Sequence, residues 1–466
     1  MMQTYPMLIG ANRVDSNKPI EVLNPRTEGL IGQVFEGSAD QMDEALSAAS
    51  EGFVVWSKMS PAHRRTRILR YADLLEKHQE RLIDLLMQET GKPRENAEYD
   101  FGMLTTCLRF FVEEVERLDQ PVLHDPDGRF LHYMQRQPLG VTVGFLAWNF
   151  PLLNLGYKLG PVLASGCSCI LKPSELTPLA SLEAVYLAVE AGIPAGVINM
   201  VTCSDYSITN RLLESSVPAM VTMIGSTRGG LEVMGASCTS IKHFSVELGG
   251  NSPVLVYDDA DVQVAAEKVI GLKFVNTGQV CVSPNRCYVH ASIYEACGEA
   301  AAACAAGVEG VPMTTAGARD RVLEKVDEAV QAGATLVCGG SRLDGVGYFM
   351  EPTILRDVDA QMRVACEEVF GPVLSIIPFT DEDDEIALAN ETSCGLAAYV
   401  FTKGLSRGLR AAEGIEAGSV CVNEPHYGVQ LPHGGLKQSG VGKDCSRYSL
   451  EEYLTLKRVS VLLDDA

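Results

Sequence analysis

Short apolar segments alternate with helical ones from residue 140 onwards, and this alternation most strongly limits how the chain folds. The predicted strands span 140–148, 167–172, 196–201, 219–224 and 243–247, and the helices between them span 152–165, 181–192, 208–215 and 228–237. Continuous apolar strands separated by helices indicate a parallel sheet covered on both faces. Ligands of such sheets bind in a crevice at the carboxyl ends of the strands.

A second alternating region and two flanking segments complete the predicted architecture. Helices are predicted at 261–274, 319–332 and 381–390, and strands at 286–290, 335–339, 373–378, 397–402 and 419–423. The N-terminal part is mainly helical, at 40–58, 61–90 and 101–118, whereas 120–137 is predicted as a surface β arm and 449–463 as a short helix with a strand at 458–463. We therefore predict an α/β protein with a Rossmann-like parallel sheet and a second α/β unit.

The composition excludes several classes of partner. The 466 residues suffice for two or three domains of roughly 100–200 residues each. With 60 acidic and 38 basic side chains the net charge is −22, and an acidic surface repels nucleic acid and anionic membranes. The apolar stretch 143–171 is interrupted by polar residues and prolines, and no basic segment followed by an apolar run opens the chain. We expect neither nucleic acid nor a membrane as a partner.

The cysteines and histidines show no ligand or disulfide spacing. Fourteen cysteines are scattered without any CxxC pair, and none of the eight histidines belongs to a cluster with metal-ligand spacing. Without a secretion signal, the expected state is reduced thiols in a reducing compartment, here the cytoplasm. We predict no metal.

Two motifs place reactive side chains at the ends of predicted elements. Glu247 ends an apolar strand and is followed by Gly249 and Gly250, and Cys281 ends the helix-like segment 274–281. A cysteine and a carboxylate at such places, each with glycine nearby, suit a nucleophile and a general base. Taken alone, however, Cys281 is one of fourteen cysteines and Glu247 a strand-end acid.

A nucleotide site is indicated only weakly by local patterns. No GxGxxG follows the first strand of the α/β unit, so the usual dinucleotide fingerprint is missing. Gly225 and Ser226 close a strand and open a helix, where small residues and the helix N-terminus favour a pyrophosphate, although this is also an ordinary helix start. Lys172 and Glu175 follow another strand and suit ribose hydroxyls, with a surface ion pair as the alternative.

Seven motifs, in order along nearly the whole chain, together resemble the aldehyde dehydrogenase superfamily. They are WNFP (148–151), KPSE (172–175), GSTRGG (225–230), ELGGNSP (247–253), GQVC (278–281), EEVFGP (367–372) and PHGGLKQSG (432–440). Each motif alone could arise by chance, whereas seven in sequence are specific to this family.

The resemblance implies a role for each matching residue. Cys281 is the implied nucleophile, Glu247 the general base, and Asn149 the side chain that binds the oxyanion together with the Cys281 backbone N–H. The implied cofactor-binding residues are Lys172 and Glu175 at the adenosine ribose, Trp148, Gly225 and Ser226 near the pyrophosphate, and Glu368 and Phe370 at the nicotinamide ribose. Lys158 matches a lysine near the family's site, and pairing with an acid is the alternative.

The family architecture implies three parts. Residues 1–117 and 139–248 form the NAD-binding domain, 249–440 the catalytic domain, and 118–138 with 441–466 an oligomerisation arm and C-terminal tail, so we expect a homodimer or homotetramer. We expect NAD rather than NADP, because Glu175 repels the additional phosphate. The expected substrate is a small or medium polar aldehyde or semialdehyde, oxidised to its acid in a tunnel lined by Phe150, Tyr157, Val280, Val282 and Tyr427.

Three departures and three rival functions stay open at this level. Residues 202–206 lack the glycine-containing turn that is usual in the family, 301–318 is short, and Tyr157 argues against a dicarboxylate semialdehyde. The rivals are a cysteine hydrolase without cofactor, a CoA-acylating dehydrogenase, and a catalytically silent member with a binding role. Glu247 favours water over CoA as acyl acceptor, and intact Cys281 and Asn149 argue against a silent protein.

Overall fold

The computed structural model describes residues 3–463, which contain 22 strands and 15 α-helices. The strands are β1 (Met7–Ile9), β2 (Asn12–Val14), β3 (Pro19–Leu23), β4 (Leu30–Phe35), β5 (Val122–Leu123), β6 (Phe130–Pro138), β7 (Val141–Phe145), β8 (Ser168–Lys172), β9 (Ile198–Met200), β10 (Pro218–Ile224), β11 (His243–Glu247), β12 (Ser252–Val256), β13 (Pro284–His290), β14 (Thr335–Cys338), β15 (Thr353–Arg356), β16 (Val373–Phe379), β17 (Cys394–Gly395), β18 (Ala397–Phe401), β19 (Ser419–Val422), β20 (Leu436–Lys437), β21 (Gly440–Val441) and β22 (Leu454–Leu462). The predicted first domain and tail also include residues 1–2 and 464–466, which lie outside the described residues.

The helices cover both central sheets and the N-terminal region. They are α1 (Ala39–Lys58), α2 (Pro61–Lys77), α3 (Gln79–Thr90), α4 (Arg94–Glu114), α5 (Pro151–Ser165), α6 (Leu179–Glu190), α7 (Tyr206–Glu214), α8 (Thr227–Ala236), α9 (Val262–Lys273), α10 (Tyr294–Ala305), α11 (Ala316–Gln331), α12 (Arg363–Cys366), α13 (Glu385–Asn390), α14 (Leu405–Gly414) and α15 (Ser446–Glu452). Short 3-10 turns lie at Val115–Arg117, Val275–Gly278 and Ala291–Ile293.

The first sheet has eight strands in the order β2-β1-β9-β8-β7-β10-β11-β21. Its five central strands, β9-β8-β7-β10-β11, are parallel to one another. Strand β1 pairs antiparallel with β9 at one edge, and β21 pairs antiparallel with β11 at the other. The predicted Rossmann-like alternation over 140–247 is therefore confirmed. Strands β7 and β8 are buried at every position, as expected for a parallel sheet with helices on both faces.

The second sheet has seven strands in the order β14-β15-β16-β13-β12-β18-β19. All its pairs are parallel except β14 with β15. Two of these strands, β12 and β15, and the helix α10 were not predicted. Strand β12 begins just after Gly249 and Gly250. Because glycine is typical of turns, these two residues make the start of the strand difficult to predict from the sequence.

Two corrections apply to the N-terminal helices. The predicted helix over 61–90 is two helices, which break at His78, where the backbone leaves the helical region (φ −103°, ψ 13°). The helix predicted over 101–118 begins earlier, at Arg94, immediately after Pro93, because proline is tolerated at a helix start but not inside one. Its partner α5 packs closely on it: a Cβ at Gly156 would lie 2.8 Å from the Leu104 Cα.

A separate three-stranded antiparallel sheet, β22-β6-β5, contains the predicted arm. Strand β22 pairs with β6 along nine residues, from Leu454 with Pro138 to Leu462 with Phe130. The outer residues of these strands, including Leu131 and Val461, are exposed. Across the described part of the chain, none of the helices combines the length and apolar character that a bilayer crossing needs.

Candidate active site

Four parallel strands of the first sheet end at one level, and this brings the sequence motifs together. The register pairs Phe145 at the end of β7 with Lys172 and with Met223, and it pairs Ile224 with Glu247. The residues that follow these strands therefore line one crevice, as expected for a doubly wound sheet.

Cys281 is held at this crevice by an unusual backbone turn. The preceding 3-10 segment contains Asn276 (φ 48°) and Thr277 (φ 59°), both in the left-handed region that residues with a Cβ rarely adopt. The turn also needs a close approach to Gly250, because a Cβ at that position would lie 2.4 Å from the Cys281 carbonyl oxygen. Strained backbone of this kind is concentrated at functional sites.

The Cys281 thiol lies beside one acid and one histidine. The Cys281 Sγ lies 3.9 Å from the His433 Nε2, and this nitrogen lies 3.4 Å from the Glu247 Oε1. Glu247 is 4% exposed, and its Oε1 accepts no aligned hydrogen bond within residues 3–463, so the His433 ring and the Glu247 carboxylate are in close polar contact without an aligned hydrogen bond. A buried acceptor without a donor is costly unless the site supplies one, for example a water.

The pKa values of the site reflect burial and like charges. Burial, and then the nearby Glu247 and Glu368 carboxylates, raise the pKa of the Cys281 thiol well above its usual range. Burial alone lowers the pKa of His433, but Glu247 and Asp444 outweigh that effect and raise it. The site thus holds Cys281 as a thiol and favours the charged form of His433.

Asn149 is fixed next to Cys281 by several hydrogen bonds. Its Nδ2 donates to the Gln279 carbonyl at 3.1 Å, and its Oδ1 accepts from the Asn154 Nδ2 at 3.3 Å. Its own carbonyl accepts from Lys92 (2.9 Å) and Asn276 (3.1 Å). An amide nitrogen has two N–H groups, so one remains to donate into the crevice.

One cavity extends from Cys281 along the ends of β10 and β11. Its lining includes Trp148, Asn149, Gly225, Ser226, Glu247, Cys281, Glu368 and Phe370, all of them predicted site residues. The rings of Trp148 and Phe370 meet edge to face at 5.4 Å between centroids. Glu368 accepts from the Gly250 N–H at 3.1 Å, and burial together with Glu247 raises its pKa to about 7, although this hydrogen bond opposes the rise.

A second cavity continues from the first and contains the remaining predicted cofactor-binding residues. The Lys172 Nζ lies 3.6 Å from the Glu175 Oε2, and it lies 5.4 Å from the centre of the Tyr206 ring. Tyr206, from the segment that lacks the usual glycine turn, lines the same cavity. Ser226 caps α8 by accepting from the Gly229 N–H at 3.1 Å, so the ordinary helix-start interpretation is also correct for this residue.

A third cavity also reaches Cys281. It is lined by all five predicted tunnel residues, Phe150, Tyr157, Val280, Val282 and Tyr427. The hydroxyl of Tyr399 lies 2.5 Å from that of Tyr427 and donates to the Val282 carbonyl at 2.6 Å, which fixes this wall. Asn149, Glu247 and Cys281 line both this tunnel and the first cavity, so the thiol stands where the two meet.

Comparison with known proteins decides the family. Residues 13–459 match the family described as "Aldehyde dehydrogenase family". The chain belongs to the aldehyde dehydrogenase family. The protein is thus an NAD(P)-dependent oxidoreductase that oxidises aldehydes to acids, and its fold is that of the aldehyde dehydrogenases, as the sequence motifs predicted.

Relatives of this aldehyde dehydrogenase differ in cofactor. It is 38% identical to a mitochondrial succinate-semialdehyde dehydrogenase of Arabidopsis thaliana, over 97% of this chain and 88% of that one. It is 36% identical to an NADP-dependent succinate-semialdehyde dehydrogenase of Escherichia coli, over 97% of both chains. A solved Bacillus cereus aldehyde dehydrogenase in complex with NAD+ superposes with a TM-score of 0.96 at 33% identity, covering 99% of this chain and 97% of that chain.

Lys158 lies behind the dehydrogenase site rather than in it. Its Nζ donates to both carboxylate oxygens of Asp444, at 2.6 and 2.8 Å, and both side chains are buried. Lys158 therefore pairs with an acid, which is the alternative interpretation given for it from the sequence. Asp444 in turn exchanges two backbone hydrogen bonds with His433, at 2.7 and 2.6 Å, so the ion pair supports the histidine.

Several residues that line the tunnel of this enzyme were not predicted from the sequence, among them His433, Glu95 and Tyr99. His433 belongs to the PHGG motif, but its distance along the chain from Glu247 and Cys281 conceals their contact in the sequence. Glu95 and Tyr99 come from α4, and no motif marks them as tunnel residues. Only the presence of histidine in a glycine-rich motif could have drawn attention to His433.

Proposed function

We propose that this enzyme oxidises aldehydes by nucleophilic catalysis, with Cys281 as the nucleophile, Asn149 as an oxyanion donor and Glu247 as the general base. The observation that carries this proposal is the position of Cys281 at the junction of two cavities, one suited to a nucleotide and one to a substrate. A cysteine hydrolase has no need of the nucleotide cavity, and a silent binding protein has no need of the three reactive groups.

The residues present fit NAD(P). The Lys172 and Glu175 pair suits ribose hydroxyls, and the α8 N-terminus behind Gly225 and Ser226 suits a pyrophosphate. Gly249 leaves room beside Glu368, where a Cβ would lie 2.4 Å from the carboxylate. If NAD(P) is bound there, its nicotinamide would supply the hydride acceptor for a substrate at Cys281.

The first half of the reaction is addition of the Cys281 sulfur to the aldehyde carbon, with the thiol proton released to solvent. This forms a C–S bond and puts negative charge on the former carbonyl oxygen. The free Asn149 N–H and the Cys281 backbone N–H are the proposed donors to that oxygen, each worth about 3–4 kcal/mol in comparable sites. Loss of a hydride from the same carbon leaves a thioester on Cys281.

The second half is hydrolysis of the thioester. The unpartnered Glu247 Oε1 can accept the proton of a water, whose oxygen then attacks the thioester carbon. The C–S bond breaks, the carboxylic acid leaves, and the thiol is restored. Water as the acceptor makes this a non-acylating enzyme, whereas a CoA-acylating one would need no base at Glu247.

We further propose NAD as the preferred cofactor. The Glu175 carboxylate lies at the cavity that would hold the adenosine ribose, and like charge there disfavours a 2′-phosphate. Tighter binding of NADP than of NAD by the purified protein would contradict the proposal.

The proposed substrate is a small or medium polar aldehyde without a distal carboxylate. The tunnel contains no lysine or arginine among the described residues that line it, and Glu95 adds an acid. A carboxylate at the far end of the substrate would therefore meet no fixed cation. Activity with succinic semialdehyde, the compound named for two of the relatives, tests whether the enzyme prefers aldehydes without a distal carboxylate.

We also propose that the chain works as a homodimer or homotetramer in a reducing compartment such as the cytoplasm. The exposed apolar residues of the arm, Val122, Leu123, Leu131, Val461 and Leu462, favour burial against a partner. All fourteen cysteines are free, which suits reducing conditions. In this proposal 1–117 with 139–248 binds NAD, 249–440 completes the catalytic site, and 118–138 with 441–466 mediates assembly.

The test is NADH formation by the purified protein with a panel of aldehydes. The panel contains aminobutyraldehyde, lactaldehyde, glycolaldehyde, a simple aliphatic aldehyde and succinic semialdehyde, each with NAD and with NADP. We expect turnover that is abolished in Cys281→Ala and kept in Cys238→Ala, a control at an exposed thiol. Turnover that survives in Cys281→Ala would contradict the mechanism, and succinic semialdehyde as the best substrate would contradict the substrate class.

A further inference from the structure

Three different metal-ligand types meet at the end of the tunnel. One atom each of Glu247, Cys281 and His433 lie within 4.8 Å of one another, and they come from three distant parts of the chain. The measured separations are 3.9 Å between Sγ and Nε2 and 3.4 Å between Nε2 and Oε1. A thiolate, an imidazole and a carboxylate are the ligands that Zn²⁺ takes in proteins.

The two separations that involve His433 are close to those of a tetrahedral zinc site, and the third, between the Cys281 sulfur and the Glu247 carboxylate, is within 4.8 Å. With Zn–S of about 2.3 Å and Zn–N or Zn–O of about 2.0–2.1 Å, ligand atoms at tetrahedral angles are roughly 3.3–3.6 Å apart. The observed 3.4 Å matches, and the observed 3.9 Å needs a shift of a few tenths of an ångström. Three protein ligands leave the fourth position open to water or to a substrate oxygen.

A second observation points to a cation here. Glu247 is 4% exposed, yet its Oε1 accepts no aligned hydrogen bond from the described residues. A second carboxylate, Glu368, lines the same cavity as the thiol. Two carboxylates grouped around one thiol favour a bound cation, and a coordinated thiol loses its proton outright.

His433 is preorganised as a ligand. Two backbone hydrogen bonds join it to Asp444, whose side chain is fixed by Lys158. Its ring stands between those of Tyr157 and Tyr427, with centroids 6.0 and 6.1 Å away. A ligand already held in place loses little conformational entropy on binding. The tunnel gives the metal an entry path.

We propose that Glu247, Cys281 and His433 form a reversible Zn²⁺ site, and that Zn²⁺ bound there inhibits the enzyme. Binding releases to solvent the proton of the thiol and any proton on the His433 Nε2, and it forms Zn–S, Zn–N and Zn–O bonds without any change of oxidation state. The inhibitory part rests on the proposed function, because the metal occupies the nucleophile and the base together. This proposal replaces the sequence-based prediction of no metal.

The test uses Co²⁺ as a spectroscopic probe of the full-length protein. We expect one Co²⁺ per chain, with a thiolate-to-cobalt charge-transfer band and a tetrahedral visible spectrum, and displacement of both by Zn²⁺. Cys281→Ala and Cys281→Ser should lose the band, and His433→Phe and His433→Asn should weaken Co²⁺ binding at least tenfold. Cys238→Ala and His243→Phe, at exposed positions, are the matched controls.

The outcomes separate this inference from the proposed function. A band that persists in both Cys281 variants, or equal Co²⁺ affinity in both His433 variants, would overturn the site. Zn²⁺ inhibition should be competitive with the aldehyde and reversed by EDTA. Inhibition that is non-competitive with the aldehyde would contradict inhibition by Zn²⁺ bound at Cys281. Turnover that depends on Cys281 without any cobalt band would leave the mechanism intact and refute the metal site alone.

Discussion

Replacing Glu247 by glutamine separates the two halves of the proposed reaction. The change keeps the size of the side chain and removes its charge and basicity. General bases contribute about 10²–10⁴-fold to rate, or roughly 2.7–5.4 kcal/mol. We therefore expect the steady-state rate of Glu247→Gln to fall by at least about 100-fold.

The first half should survive, because addition and hydride loss do not use Glu247. Rapid mixing with aldehyde and NAD should show a burst of one NADH per active site, followed by slow turnover. Glu267→Gln, an exposed acid on α9, is the matched control and should behave as wild type. Steady-state turnover within threefold of wild type, or loss of the burst, would refute the assignment of Glu247 as the base of the second half.

The same variant should change the reactivity of the thiol in the opposite direction. After burial, Glu247 is the next cause of the raised pKa of Cys281, so its neutralisation lowers that pKa and increases the thiolate fraction at any pH below it. Alkylation of Cys281 by iodoacetamide at pH 7 should be faster in Glu247→Gln, by about tenfold for each unit that the pKa falls. In wild type the alkylation rate should keep rising with pH beyond the usual thiol range. An unchanged rate in the variant would refute the electrostatic account.

Three further predictions concern cofactor, stability and assembly. Glu175→Gln should raise kcat/KM for NADP relative to NAD by about tenfold, since it removes one like charge at a partly exposed site; an unchanged ratio would contradict the role of Glu175. Lys158→Met should destabilise the fold by about 3–5 kcal/mol in urea denaturation, because Asp444 would remain buried and unpaired, and the double variant with Asp444→Leu should recover much of this. Leu131→Lys in the arm should reduce the oligomer in light scattering without unfolding the chain, and an unchanged mass would argue against assembly through the arm.

Much of this fold could be predicted because its strands are buried on both faces. Continuous apolar runs such as β7 and β8 stand out from the amphipathic helices around them, and parallel pairing then brings the strand ends together. The motifs at those strand ends could therefore be assigned to one crevice from the sequence alone. The break at His78 was missed because no glycine or proline marks it, and the long apolar pattern continues across it.

The contents of the site were less predictable than its location. His433 contacts Glu247 and Cys281 only through tertiary packing, and neither spacing nor periodicity in the sequence records that contact. Helix α10 was missed because its alanines and cysteines show no clear apolar stripe. The unpartnered Glu247 oxygen and the Lys158–Asp444 pair likewise depend on burial. A sequence pattern can indicate that a segment is buried, but it does not indicate which individual atoms are buried.

The central claim is that Cys281 carries the acyl group between the two halves of the reaction. It is tested most directly by mass spectrometry of Glu247→Gln, quenched in acid just after the NADH burst and digested with protease. The account predicts the mass of the acyl group on the peptide that contains Cys281, at close to one per chain. A burst of NADH with no adduct on that peptide, or with the adduct on another cysteine, would contradict it.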